Sequence, residues 1–130
     1  MVLLLCIPLR SGNLKHDIEI YQGETLSLRL EVTNENGEPF DLTEYKSKMQ
    51  IRQNPLDKIY MEIETSIYEN YIYITIDKDK SYMLPSFPNN NYYNGALCYD
   101  VIIYNDVYLR NIIGGKIIVR PTVTKDGVFI

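Results

Sequence analysis

The chain has 130 residues, 45% apolar and 23% charged, with a formal net charge of −4. This balance excludes a disordered polymer, and 13 scattered basic residues exclude the clustered positive face that nucleic acid requires. Length predicts one domain over residues 1–130, large enough to bury roughly two-thirds of its unfolded surface without disulfide staples.

Alternation of apolar and polar residues is the dominant local signal. Successive side chains on a strand point to opposite faces, so a period of two means one face in a core and one in water. The run Val2-Leu3-Leu4-Leu5-Cys6-Ile7 predicts a first strand over 2–8 that ends at Pro8. No basic residue precedes the run and no small-residue cleavage site follows, so it reads as a strand rather than a signal sequence. It is also too short to span a bilayer. Because it is apolar on both faces, it is expected to be covered on both sides, by a second sheet and by a neighbouring subunit.

Ser11-Gly12-Asn13 is a turn signal, and Ile18 and Ile20 point inward from a short strand over 17–21. After a bend at Gln22-Gly23-Glu24, Leu26, Leu28, Leu30 and Val32 alternate with Ser27, Arg29 and Glu31 in the cleanest strand of the chain. Asn34-Glu35-Asn36-Gly37 predicts a hairpin turn. Phe40 and Leu42 are expected to plug the core edge, with Asp41 or Thr43 bonding local backbone. Met49 and Ile51 point inward from the strand over 46–53, which Asn54-Pro55 ends.

Ile59, Met61 and Ile63 share a face, and their run is expected to pair as a hairpin with Tyr71–Ile76 across the Glu69-Asn70 turn. Asp77 or Asp79 can cap a single helical turn carrying Tyr82, Met83 and Leu84, stopped by Pro85. Asn89-Asn90-Asn91 sits in a loop. Residues 96–104, apolar on both faces, predict a central strand that turns at Asn105-Asp106 into 107–113. Gly114-Gly115 permits a bulge before the last strand, 116–120. Eight or nine short strands with regular turns predict an all-β, antiparallel Ig-like β-sandwich, although the Cys…Trp…Cys hallmark of true Ig domains is absent.

Little in the chain points to catalysis. Most of the 17 acidic residues fall on outward positions or in turns. Asp100 lies inside the central strand, where it can pair with Arg110 across the hairpin for about 0.2–1 kcal/mol. The single His16 lacks a nucleophile motif, Gly114-Gly115 does not open a helix, and Asp77-Lys78-Asp79 lacks the rest of a calcium loop. Cys6 and Cys98 read as buried small hydrophobes, and with one His they offer no zinc-ligand spacing. A disulfide between them needs neighbouring strands. No enzyme activity, metal or cofactor is expected.

The 12 tyrosines are the unusual feature. Tyr60, Tyr71, Tyr73, Tyr104 and Tyr108 fall on outward or intersheet positions, and Tyr92-Tyr93 flank the Asn-rich loop. Such residues can cover a sheet, anchor a protein interface or form a sugar platform. The candidate interface residues are Val2, Leu3, Leu4, Leu5 and Ile7 of the first strand, Tyr71, Tyr73, Tyr92 and Tyr93. Val128, Phe129 and Ile130 of the tail over 122–130 complete the set, because exposed apolar ends suit a partner.

Two groups of short motifs follow one another in order. Gln22-Gly23-Glu24-Thr25, Asn36-Gly37-Glu38-Pro39-Phe40-Asp41-Leu42-Thr43 and Met49-Gln50-Ile51-Arg52 form one half. Tyr99-Asp100-Val101, Arg110, Gly114-Gly115-Lys116-Ile117 and Val119, Pro121, Val123, Thr124 form the other. Over residues 20–124 this order resembles small tailed-phage and prophage virion proteins, in the style of the N-terminal domain of phage baseplate upper proteins. The resemblance implies a structural, non-enzymatic role in a multi-copy virion assembly built in the bacterial host cytoplasm, as a head, neck, tail or baseplate component. Its implied partners are other virion proteins or copies of itself, with neither nucleic acid nor membrane bound. The exposed tyrosines leave a second expectation open, a carbohydrate-binding or cell-surface adhesion module.

Overall fold

The structure, a computed structural model, describes residues 2–9, 14–53, 56, 58–85 and 97–123. Among these, the elements are β1 (Val2–Pro8), β2 (Leu14–Lys15), β3 (Ile18–Tyr21), β4 (Leu26–Thr33), β5 (Lys46–Arg52) and β6 (Met61–Ile63). They continue with β7 (Thr65–Tyr68), β8 (Tyr71–Ile76), α1 (Lys78–Met83), β9 (Leu97–Tyr104) and β10 (Leu109–Arg120).

Period-two alternation places the core as expected. Leu26, Leu28, Leu30 and Val32 of β4 and Ile72, Ile74 and Ile76 of β8 are buried. They share one hydrophobic cluster with Met49 and Ile51 of β5, Val101 and Ile103 of β9, and Ile117 and Val119 of β10. Each such side chain contributes about 1.5–3 kcal/mol relative to staying in water. One sheet runs β1-β4-β8-β7, and the other runs β2-β10-β9-β5-β6 with β3 also on β10. The fold is an Ig-like β-sandwich of two mixed sheets.

The mixing departs from the antiparallel expectation. β1 runs parallel to β4 from Val2 beside Ser27 to Pro8 beside Thr33, and β2 and β3 both run parallel to β10. β1 lies at the edge of one sheet and β2 at the edge of the other. Alternation encodes which face a side chain takes, not which way the neighbouring strand runs, so a parallel edge leaves no mark on the pattern.

Two predicted hairpins are rearranged. The turn at Asn34–Gly37 forms, with Gly37 at φ +87° and the Asn34 side chain accepting from the Asn36 and Glu38 amides, but the ladder beyond it is a single Thr33–Pro39 bridge. The chain then crosses to β5 in the other sheet. On the way it buries Leu42 and packs Phe40 against the core, while Asp41 closes its own turn on the Thr43 amide at 2.9 Å. Likewise the 59–64 run does not pair with β8. β6 pairs with β5, and the adjoining β7 pairs with β8. The inward parity of Met61, Ile63, Thr65 and Ile67 runs unbroken through both strands, so the change of sheet at Glu64 is invisible in the periodicity. Thr65 Oγ1 donates to the Ser47 carbonyl at 3.0 Å and pins that corner.

Gly114-Gly115 does not divide the last strand. β10 is one strand of 12 residues, and its register shifts earlier, between Asn111 and Ile113. Gly115 is needed for close approach instead. A Cβ there would press on the His16 carbonyl and stand 2.8 Å from Asp17 Oδ1. The segment between β2 and β3 is docked at this spot. The His16 amide donates to Gly114 O, the Lys116 amide donates to Asp17 Oδ1, and the buried Tyr99 hydroxyl donates to the His16 carbonyl.

The helical turn forms as predicted, with Asp77 as N-cap accepting from the Lys80 amide at 2.8 Å. Buried Ser81 ties α1 to the bend after β3. Its Oγ accepts from the Gly23 amide and donates to Tyr21 O, while the Gln22 side-chain Nε2 donates to Leu84 O.

Candidate interaction face

The two outer faces of the sandwich differ in chemistry. On the six-stranded sheet, Lys46, Lys48, Gln50 and Arg52 of β5 stand beside Tyr104, Ile102, Asp100 and Cys98 of β9 in a mainly polar lattice. Lys48 Nζ lies 5.5 Å over the Tyr104 ring, Gln50 donates to Glu62, and Arg52 donates to Gln50. Asp100 pairs here, though not with Arg110. Arg110 stands opposite inward-facing Ile103, on the other side of the sheet, and the Asp100 carboxylate accepts from Asn111 Nδ2 at 2.8 Å. Burial raises the Asp100 carboxyl above the usual range, opposed by the Asn111 bond and the Arg52 charge. Burial, and then the Asp100 charge, raise the neighbouring Cys98 thiol.

The outer face of the four-stranded sheet is aromatic and apolar. Register builds it in rows across β1, β4, β8 and β7. One row is Leu4, Arg29, Tyr73 and Ser66, and the next is Cys6, Glu31, Tyr71 and Tyr68. Val2 adjoins them beside Ser27. The Arg29 guanidinium lies 4.4 Å over the Tyr71 ring and 5.7 Å from the Tyr73 ring centre, a geometry that favours the cation. The Tyr71 hydroxyl donates to Glu31 Oε2 at 3.0 Å, and that bond, with the Glu31 charge, raises the tyrosine's pKa. Leu4, Leu5, Cys6, Arg29, Glu31 and Tyr71 line an open groove of about 250 Å³.

Val2 is 66%, Leu4 67% and Tyr68 66% exposed, values that set them apart from the buried alternation of the same sheet. Of the residues singled out in the sequence, Val2, Leu4, Tyr71 and Tyr73 therefore share this face. Leu3 and Leu5 are half-buried and turn toward the core, and Ile7 is a core residue at 1% exposure. Among the described residues β1 is thus covered on one side by the core and uncovered on the other. Tyr92, Tyr93, Val128, Phe129 and Ile130, and the Asn89–Asn91 loop, lie outside the described residues.

Arg29, Glu31 and Tyr68 were not singled out. Their outward parity is legible in the sequence, but their meeting with Tyr71 and Tyr73 depends on strand register. Cys6 corrects the expectation of a buried thiol: it is exposed, and it lies in a different sheet from Cys98. Both cysteines are free. Among the described residues no group of three or more His, Cys, Asp or Glu is placed to hold a metal ion, and no helix is long and apolar enough to cross a membrane.

No protein-family model matches the chain, and no curated protein matches it. Distant structural similarities exist. A cysteine protease inhibitor from Entamoeba histolytica is similar at 8% identity and a TM-score of 0.44, over 92% of this chain and 97% of that one. The extracellular fragment of novel immune-type receptor 11 from Ictalurus punctatus, including its stalk region, is similar at 6% identity and a TM-score of 0.37, over 93% and 95%.

Proposed function

We propose that this chain is a recognition module of the cell-surface adhesion type, binding a protein partner across the outer face of its four-stranded sheet. The Arg29 guanidinium laid over Tyr71 and Tyr73 beside exposed Leu4 carries this reading. Tyr and Arg on a flat, partly apolar surface are the residue types that dominate protein-binding energy. The same stack argues against a sugar platform, because the guanidinium covers the Tyr71 face on which a sugar ring would stack. The test is binding of the purified chain to intact cells, untreated or shaved with protease. Protease-sensitive binding that falls about tenfold or more in Arg29→Ala and Tyr73→Ala is expected for loss of two anchors. Selective binding on a glycan array, lost in Tyr73→Ala, would overturn it in favour of carbohydrate.

A second reading is a virion component of the head, neck, tail or baseplate, assembled in a bacterial host. It is favoured by the order of turn motifs at 22–25 and 36–43 together with β1, an apolar strand at a sheet edge. Portal, tape-measure or tail-fibre genes beside this one would favour it, and glycan-degrading or transport genes would count against it.

A further inference from the structure

We propose that β1 pairs edge to edge with β1 of a second copy, joining two four-stranded sheets into one eight-stranded sheet across a two-fold axis. Among the described residues β1 is bonded on one side only, to β4, and it ends its sheet. An edge strand offers a row of unpaired N–H and C=O groups, and natural edges blunt that row with Lys, Pro or inward charges. β1 carries none of these before Pro8 at its end: its seven residues are Val, Leu, Leu, Leu, Cys, Ile and Pro.

A second copy is the occupant that the register selects. Two copies related by a two-fold axis pair antiparallel, and parity must match for outer residues to meet outer residues. Pairing all seven residues puts Leu5 on the axis, Leu4 opposite the second copy's Cys6, and Val2 opposite its Pro8. Charge favours the same register. Leu4 lies beside Arg29 and Cys6 beside Glu31, so each outer row then runs Arg29, Leu4, Cys6, Glu31, with the last two from the second copy. Opposite charges share every such row, roughly 14 Å apart at three strand spacings. Shifting by two residues either way centres the axis on Leu4 or Cys6 and aligns Arg29 with Arg29 or Glu31 with Glu31. The proposal stands independently of what the tyrosines bind, although the two grooves beside β1 would become one surface.

Charges introduced at two exposed positions test it. Analytical ultracentrifugation of the wild-type chain from low to high micromolar concentration is expected to show a monomer–dimer equilibrium. Leu4→Lys with Cys6→Lys sets two pairs of lysines directly opposite each other and should weaken dimerisation by about tenfold or more. Leu4→Glu with Cys6→Lys sets Glu opposite Lys across the axis, each beside an opposite charge of its own sheet, Arg29 or Glu31, and should restore it. Hydrogen exchange on the wild type supplies a reading free of mutation, as protection of the β1 amides rises with concentration. A wild-type chain that stays monomeric would overturn the proposal, leaving the edge to a strand from another protein. So would a dimer indifferent to the double lysine, or a Glu/Lys variant that fails to recover.

Discussion

Replacing Gly115 with Ala should be among the most damaging small changes available to this protein. The added methyl would press on the His16 carbonyl and approach Asp17 Oδ1 to 2.8 Å, so the segment joining β2 to β3 must move. Three hydrogen bonds hold that segment: the His16 amide to Gly114 O, the Lys116 amide to Asp17 Oδ1, and the Tyr99 hydroxyl to His16 O. Each is worth about 1 kcal/mol net, and a buried hydroxyl left unpaired costs about 1–3 kcal/mol. Partial loss of all three, with the overpacking itself, gives about 3 kcal/mol. For a chain of this length that lowers Tm by about 11 °C. Urea melts of Gly115→Ala and Tyr99→Phe measure it, the second removing one bond of the three and expected to cost about 1–2 kcal/mol. If Gly115→Ala costs less than about 0.5 kcal/mol, as an unconstrained surface change does, the close approach at His16 is refuted.

Leu30→Ala, at the centre of the fully buried β4 stripe, should cost about 3–5 kcal/mol by chemical denaturation. Ser81→Ala removes the two bonds that its hydroxyl makes to the bend after β3, and should cost about 1–2 kcal/mol, with raised hydrogen exchange at the Gly23 amide. Asp100 has a raised folded-state pKa, so the folded chain holds its proton to higher pH than the unfolded chain. Stability from this group therefore declines as pH rises from the ordinary carboxylate pKa through the raised one. Asp100→Asn should remove that decline, so its stability relative to wild type improves from acid to neutral pH in urea melts. A constant difference across that range would show that burial does not penalise the carboxylate.

Which residues enter the core was legible from alternation alone, because a strand's side chains switch faces at every residue whatever lies beside it. Leu26 to Val32 and Tyr71 to Ile76 therefore read correctly, as did local chemistry such as the Asp77 cap and the Asn34–Gly37 turn. Strand partnership was legible only where a tight turn joins neighbours, as at Asn105-Asp106 between β9 and β10. The parallel edges, the change of sheet at Glu64 and the unbroken β10 all preserve the same parity, so the one-dimensional pattern is identical with or without them. Gly115 was noticed as a glycine, but its reason lies in His16, about a hundred residues away in sequence, which only folding brings near. The candidate face divides the same way. Sequence determined that Arg29, Tyr71 and Tyr73 point outward, whereas Leu4, in a run apolar on both faces, received its outward face only from the fold. Register in the folded sheet alone decided that they stand in adjoining rows, because lateral neighbours are set by backbone pairing between distant segments.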